Sequence, residues 1–147
     1  MRLIITALAL AAVAFSQEAA PQKPLRERLL ERALKGDTEA QYDLGKNYET
    51  GRIGLKKDLV QAEHWYHMAA DQGDPFAQAG LAILYQFGKG VKVDLVEACM
   101  WYTLASNGSK GGDHESIADM LDDVTKLMTP DQIAEARKRA REWKPKK

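Results

Sequence analysis

Only one cysteine, Cys99, occurs in the 147 residues, so no internal disulfide can form. The formal net charge is zero, from 21 basic and 21 acidic side chains. Nucleic-acid binding depends on clustered Lys and Arg that neutralise phosphates, and a balanced charge disfavours it. No stretch alternates apolar and polar residues as a β-strand does. These absences predict an all-α fold that is held together by packing, with no nucleic acid as ligand.

No apolar run is long enough to cross a bilayer as a helix. The longest, Leu3–Phe15, follows Arg2 and ends at small residues suited to a signal peptidase. This pattern predicts a signal peptide over residues 1–16, with cleavage before Gln17 as the first choice and cleavage within Gln17–Ala20 equally workable, followed by a flexible lead-in over residues 17–24. Export to the periplasm of a Gram-negative bacterium, or secretion, follows from it. The alternative is an uncleaved anchor helix, which would then be the only membrane contact.

Glycine, tryptophan and tyrosine recur at fixed spacing over the middle of the chain. The recurring residues of the first copy are Ala40, Leu44, Tyr48, Gly51, Gly54, Asp58, Ala62, Trp65, Tyr66 and Ala69. Their counterparts 36 or 37 residues later are Ala77, Leu81, Tyr85, Gly88, Gly90, Asp94, Ala98, Trp101, Tyr102 and Ala105. A period of this size predicts a stacked array of helical hairpins.

The predicted array is a single domain, residues 25–143, with about seven helices. Two full repeats, at about residues 37–73 and 74–112, lie between a cap at 25–36 and a cap at 113–143. The amino-terminal cap is one helix whose apolar face is formed by Leu25, Leu29 and Ala33 and is widened by Leu30 and Leu34. The carboxyl-terminal cap contains two helices and precedes a solvated basic tail, residues 144–147.

Aspartate is predicted to begin most helices as N-cap, because its side chain accepts a hydrogen bond from an otherwise unpaired backbone N–H. The positions are Asp37, Asp58, Asp74, Asp94 and Asp113. Gln61 and Glu97 follow two of these caps by three residues, which predicts reciprocal capping boxes. Thr129, Pro130 and Gln132 predict another box at the last helix. Residues 107–112 predict a longer, looser turn.

The pattern A-x-x-x-L-G-x-x-Y-x-x-G, then Asp, then A-x-x-W-Y-x-x-A-A-x-x-G-D, resembles the Sel-one-like repeat, a relative of the tetratricopeptide repeat. The first copy carries nearly all of it from Ala40 to Asp74. The second keeps it from Ala77 to Ala105, with Ala82 where Gly is usual. The resemblance covers roughly residues 26–143. It implies a right-handed superhelix of helical hairpins that serves, without a cofactor, as a non-enzymatic adaptor or scaffold for another protein.

The resemblance also leaves an alternative, a small cell-envelope enzyme or cell-wall-ligand-binding protein on the same scaffold. Exported relatives with disulfide-stapled repeats are linked to cell-wall compounds, but the paired cysteines of those relatives are missing here. His64 and His67 share part of a helical face, yet no third metal ligand follows at a recognisable spacing. No Ser-His-Asp or Cys-His pattern is present. We therefore predict no catalytic residue and no metal site.

The repeat residues themselves are predicted to be structural. Trp65, Tyr66, Trp101 and Tyr102 have the spacing of core positions. The turn glycines lack the Lys-Ser/Thr continuation of a phosphate-binding loop. Cys99 aligns with Glu63 of the first copy, which predicts a half-buried, inert thiol. Self-association through the concave face or through a Cys99–Cys99 bridge is a further possibility.

Five first-helix positions of each repeat are predicted, by analogy with tetratricopeptide repeats, to face a concave groove. In the first copy they are Glu39, Tyr42, Lys46, Glu49 and Thr50. In the second copy they are Phe76, Ala79, Ile83, Gln86 and Phe87. One hypothesis is that these residues bind a hydrophobic or aromatic segment of a partner protein. The competing hypothesis is that the helix at 113–128 covers Phe76, Ile83 and Phe87.

The signal peptide gives a direct prediction. When the gene product is expressed from its own leader in a Gram-negative bacterium, intact-mass spectrometry is expected to find a chain that begins at Gln17. The small residues at positions 14 and 16 are the reason, since they suit the peptidase. A chain that retains Met1 and stays with the membrane fraction would show an anchor instead.

Overall fold

Seven α-helices follow one another between residues 22 and 146, the part of the chain that the computed structural model describes, and no strand separates them there. They are α1 (Leu25–Leu34), α2 (Thr38–Thr50), α3 (Leu59–Asp71), α4 (Pro75–Phe87), α5 (Leu95–Gly108), α6 (Gly111–Thr125) and α7 (Pro130–Glu142). The all-α fold and the number of helices are therefore confirmed. The signal peptide and residues 17–21 of the lead-in lie outside the described residues.

Aspartate caps begin the four helices of the two repeats. The Asp37 carboxylate accepts a hydrogen bond from the Ala40 amide at 3.1 Å, and Asp74 accepts one from Ala77 at 2.7 Å. Asp58 and Asp94 cap α3 and α5 in the same way. Each cap satisfies amide groups that have no partner inside the helix. These four predicted N-caps are confirmed.

The reciprocal boxes predicted at α3 and α5 do not form. The amide of Asp58 donates instead to the Tyr48 carbonyl at 2.9 Å, and the amide of Asp94 donates to Tyr85 at 3.0 Å. Because the Asp94 amide is already bonded to Tyr85, the Glu97 carboxylate instead accepts a hydrogen bond from Arg139 of α7. The capping box predicted at Thr129 and Gln132 is present in both directions.

The link between α5 and α6 is also shorter than predicted. α5 continues to Gly108 and α6 begins at Gly111, so only Ser109 and Lys110 connect them. Gly111 has a φ of +61°, a conformation that glycine adopts without steric cost. Asp113 therefore lies inside the first turn of α6 and does not cap it, although its charge still suits the helix dipole.

The helices stack as consecutive hairpins. α2 pairs with α3 and α4 pairs with α5, while α1 packs on α2, α3 packs on α4, and both α6 and α7 pack on α5. The two repeat Trp-Tyr pairs are buried between them, as predicted. The larger core cluster surrounds Tyr66 and Tyr102, and a smaller one surrounds Trp65 and Leu44. Among residues 22–146, no helix is long and apolar enough to cross a bilayer.

A side-chain hydrogen bond to the end of the preceding helix marks each unit of the stack. Gln41 Nε2 donates to the Ala33 carbonyl at 3.1 Å, and Gln78 Nε2 donates to the Ala70 carbonyl at 3.2 Å. At the same eight-residue separation, His114 Nδ1 lies 2.8 Å from the Ser106 carbonyl. Because a carbonyl only accepts, Nδ1 must carry the proton. α6 therefore begins a third, incomplete repeat.

The amino-terminal end of the stack differs from the prediction: Leu29 and Ala33 are buried, but Leu25, Leu30 and Leu34 stay exposed because only the α2-facing side of α1 is covered. At the other end, residues 144–146 of the basic tail are exposed, as predicted, and two contacts tie this end to the stack. The Trp143 ring meets Trp101 edge-on at 6.3 Å between centroids. Lys146 donates its amide to the Asp71 carbonyl at 2.7 Å and its Nζ to Asp71 Oδ2 at 2.8 Å.

Cys99 is 1% exposed, so the prediction of a half-buried thiol was wrong. The reason is that α7 returns to pack on α5, a contact that alignment with Glu63 could not show. Burial raises the pKa of the Cys99 thiol and keeps it protonated and unreactive. Two folded copies cannot reach each other's Cys99, which removes the basis for a bridge between them.

The Tyr66 ring lies between two helices that approach closely at glycines. A Cβ atom added to Gly45 of α2 would lie 2.4 Å from Tyr66 Cδ1, and one added to Gly80 of α4 would lie 3.1 Å from Cε2. These glycines leave the space that the ring fills. Because Tyr66 is 2% exposed, the ring cannot swing aside into solvent.

Substitution at Gly45 tests this packing. Gly45→Ala is expected to lower the free energy of unfolding by about 2 kcal/mol, since overpacking costs more than the gain in helix propensity. Urea denaturation followed by circular dichroism measures it. Gly112→Ala is the matched control: a Cβ there meets nothing within 4 Å, so we expect a gain of roughly 0.5–1 kcal/mol. Equal effects at the two sites would contradict this account.

Candidate partner-binding groove

The first helices of the successive units, α2, α4 and α6, line a groove with two adjoining cavities of about 330 and 210 Å³. Ile83 of α4 and Met120 of α6 line both cavities. The larger cavity is also lined by Tyr42, Lys46, Glu49, Tyr66, Phe76, Ala79, Gly80, Asp113, Ser116 and Ile117. The smaller one is also lined by Gln86, Phe87, Tyr102 and Asp123. The groove therefore has an apolar floor and charged margins.

Aromatic rings form one side of the larger cavity. The Tyr42 ring lies 5.9 Å from Tyr66 and 6.0 Å from Phe76, both in tilted arrangements. Lys46 Nζ lies 5.6 Å from the centroid of the Tyr42 ring, within the range of a cation–π interaction. Phe76 is nevertheless 45% exposed, so a large part of its ring is open to a ligand.

Phe87 lies at the far end of the groove and is 62% exposed. Lys89 Nζ lies 5.9 Å from the centroid of its ring. Neither Phe76 nor Phe87 is covered by α6, so the hypothesis that this helix buries them was wrong. Ile83 is half-buried and packs against the core. α6 stands beside α4 as the second wall of the groove.

Glu49 and Gln86 occupy equivalent places in the two repeats and bond the buried tyrosines. Tyr66 donates its hydroxyl to Glu49 Oε2 at 2.8 Å, and Tyr102 donates to Gln86 Oε1 at 2.8 Å. Burial and then the Glu49 carboxylate raise the pKa of Tyr66, and burial raises the pKa of Tyr102 to about 12. Lys89 Nζ approaches Glu49 Oε1 at 3.9 Å. These bonds fix the groove floor to the core.

Eight of the ten residues that the sequence predicts to face the groove line one of these two cavities. One exception is Glu39, whose carboxylate pairs with Arg32 at 3.2 Å. Thr50 lies at neither cavity and donates to the Lys46 carbonyl. The sequence reasoning missed the α6 wall, formed by Asp113, Ser116, Ile117, Met120 and Asp123. A sequence signal for this wall was available. His114 follows Ser106 by eight residues, which is the spacing at which Gln41 follows Ala33 and Gln78 follows Ala70.

The histidines offer little for catalysis. His64 is exposed and lies edge-on to Trp65, while His67 is half-buried beside Trp101 with its Nδ1 3.6 Å from Asp71 Oδ2. That Asp71 oxygen already accepts from Lys146. Within residues 22–146, no group of three His, Cys, Asp or Glu side chains is placed to hold a metal ion.

A family model for the Sel1 repeat matches residues 38–74 and 75–109, each beginning at the first helix of a repeat. This chain is a Sel1-like repeat protein. The matched segments correspond to the hairpins α2–α3 and α4–α5. The first helices of the two matched repeats carry nine of the groove residues, and α6, which supplies the second wall, lies just after the matched region.

Two solved structures show the same architecture. The crystal structure of c5321, a protective antigen present in uropathogenic Escherichia coli strains and displaying an SLR fold, superposes with a TM-score of 0.73 at 31% identity. It covers 80% of this chain, which spans 24% of the antigen chain. A Sel1 repeat protein from Oxalobacter formigenes superposes with a TM-score of 0.56 at 27% identity, over 80% of this chain and 97% of the other.

A curated relative is the ERAD-associated E3 ubiquitin-protein ligase component HRD3A of Arabidopsis thaliana. It is 38% identical over 58 residues, which are 40% of this chain and 9% of that protein. Sel1 repeats are generally protein–protein interaction modules, and the fold is typically a non-enzymatic scaffold. This Sel1-like protein therefore belongs to a class of proteins that bind other proteins.

The buried tyrosines give a pH-dependent prediction. The pKa of Tyr102 rises from about 10 in the unfolded chain to about 12 in the fold, so the unfolded state loses its proton first. Stability is therefore expected to fall as the pH rises from 10 to 12. Tyr102→Phe should reduce that slope by up to about 1.4 kcal/mol per pH unit in urea titrations. An unchanged slope would show that Tyr102 ionises freely in the fold.

Proposed function

We propose that this Sel1-like protein is an exported, non-enzymatic adaptor that docks a segment of a partner protein in the groove between α2, α4 and α6. The observation that carries the proposal is the exposure of Phe76 and Phe87 along a groove whose tyrosines are half-buried or buried. Exposed aromatic residues grouped in a concavity are typical of interaction sites.

A rigid floor favours binding of this kind. Tyr42, Tyr66 and Tyr102 connect the groove to the core, and Tyr66 and Tyr102 are held by hydrogen bonds to Glu49 and Gln86. A preformed surface avoids much of the conformational entropy that a flexible loop would lose on binding. Burial of each exposed phenylalanine would contribute roughly 1.5–3 kcal/mol before those costs.

The export part of the proposal is supported by the leader at residues 1–16. Its apolar run and small residues at positions 14 and 16 are those of a signal peptide. An adaptor with one buried thiol and no disulfide would fold without a dedicated oxidation step. The partner would then be another envelope or secreted protein.

Site-specific photo-cross-linking in the native host tests the docking site. A benzophenone amino acid at Phe76 or Phe87 is expected to capture one partner, because these exposed rings line the two cavities of the groove. The same group at Val60, which is 61% exposed on α3, serves as the control and should capture none. Cross-linked products are identified by mass spectrometry.

A paired substitution then separates binding from folding. Phe76→Ala/Phe87→Ala, with the benzophenone amino acid moved to Met120 on the facing helix, should lower capture of that partner at least tenfold and leave the melting curve nearly unchanged, since both rings are exposed. Val60→Ala should leave capture unchanged. Equal capture from Val60, or full capture by the double variant, would rule out this groove as the docking site.

A further inference from the structure

We infer that the docked segment is basic and amphipathic, with one or two large apolar side chains flanked by Lys or Arg. This inference rests on the proposed docking function and deepens it by naming the chemistry of the partner. Three features of the groove lead to it: the charge of the α6 wall, the arrangement of cations over the aromatic rings, and the shared apolar floor.

The helix α6, which supplies the second wall, is strongly acidic. Its fifteen residues include five carboxylates and neither Lys nor Arg, and two of the five, Asp113 and Asp123, belong to the wall itself. All five are exposed: Asp113, Glu115, Asp119, Asp122 and Asp123. Asp113 and Asp123 line the larger and the smaller cavity respectively. A negative wall beside an apolar floor attracts a segment that carries both positive charge and apolar side chains.

In the described part of the chain, the negative charge of α6 is compensated only at the carboxyl-terminal end of that helix. Lys126 pairs with Asp122 and Asp123 at 2.7 and 3.0 Å, but these surface pairs are solvated and weak. Asp113 forms no ion pair with any residue between 22 and 146. The carboxylates that line the two cavities are Glu49, Asp113 and Asp123, against Lys46 as the basic lining residue. Lys89 approaches Glu49 at 3.9 Å and Lys126 pairs with Asp123, so the uncompensated negative charge of the lining is that of Asp113.

The aromatic rings of the groove already hold cations. Lys46 lies over Tyr42 and Lys89 lies over Phe87, at 5.6 and 5.9 Å from the ring centroids. Within the described residues, the exposed Phe76 ring has no such cation over it. A partner Arg or Lys could stack on Phe76 while its charge faces Asp113, which lines the same cavity.

The apolar floor separates this surface from a purely electrostatic patch. Ile83 and Met120 are shared by both cavities, so one apolar side chain in each cavity would rest on the same central pair. An acidic segment would meet Asp113, Asp123 and Glu49 with like charge. The leader of this chain suits the floor but carries Arg2 as its only charged side chain within residues 1–16, so it matches the acidic wall poorly.

Model peptides test the inference directly. Two fluorescent 15-residue peptides would share one apolar helical pattern, with Leu and Trp at i, i+3, i+4 and i+7, and carry either Lys or Glu at the other positions. We expect the Lys peptide to bind the purified protein at least tenfold more tightly than the Glu peptide at 50 mM salt. The difference should shrink at 500 mM salt because exposed charges are screened.

Charge-neutral variants locate the effect. Asp113→Asn/Asp123→Asn is expected to weaken binding of the Lys peptide about five- to thirtyfold at low salt and to leave the Glu peptide unchanged or bound more tightly. Glu142→Gln, an exposed change at the end of α7, is the matched control and should alter neither affinity. Phe76→Ala/Phe87→Ala should weaken the Lys peptide at both salt concentrations.

Several outcomes would overturn the inference. These are equal binding of the two peptides, no binding of the Lys peptide, no effect of the Asp→Asn changes, or tighter binding of a peptide with the sequence of residues 1–16. Dimerisation of the protein that the Asp→Asn changes abolish, measured by sedimentation velocity, would show that a second copy occupies the groove. If one of these outcomes is found while the benzophenone amino acid at Phe87 still captures a partner in the native host, the docking function stands and only the basic character of the partner is refuted.

Discussion

The contact on which the structure depends most is the clasp of the Tyr66 ring between α2 and α4. Gly45 and Gly80 allow the two helices to approach the ring from either face, and the Glu49 carboxylate accepts a hydrogen bond from its hydroxyl. The same tyrosine therefore joins the two repeats and fixes the floor of the groove. Tyr102 repeats the hydroxyl bond one unit later, with Gln86 in the place of Glu49.

Short-range rules predict much of this fold from the sequence. The aspartate caps of the two repeats, the turn glycines and the box at Thr129 depend on neighbouring residues alone, and each is found. The cap at Asp113 fails because α6 begins two residues earlier, at Gly111, and the other failed predictions depend on distant contacts. The carbonyl of Tyr48 competes for the amide that a box at Asp58 needs, and the return of α7 onto α5 buries Cys99. None of these contacts has a local signature.

The groove residues also fall into a set that the sequence predicts and a set that it does not. The repeat register places Tyr42, Lys46, Phe76 and Ile83 on one surface, because equivalent positions of stacked helices share a face. The α6 wall could not be found by that route, since the repeat pattern is lost after Ala105. Only the bond from His114 to Ser106 relates α6 to the earlier units. The positions that build the stack are alike between repeats, whereas the groove positions differ, which separates folding from recognition.

Hydrogen exchange, measured with and without the purified partner that cross-linking identifies, tests this separation most directly. In this account the repeat residues build the stack, and the variable positions of α2, α4 and α6 bind the partner. Slower exchange is therefore expected along those three helices when the partner is added, with α7 and the tail unchanged. Protection centred on α7 and the tail, with no change in α4, would contradict the account.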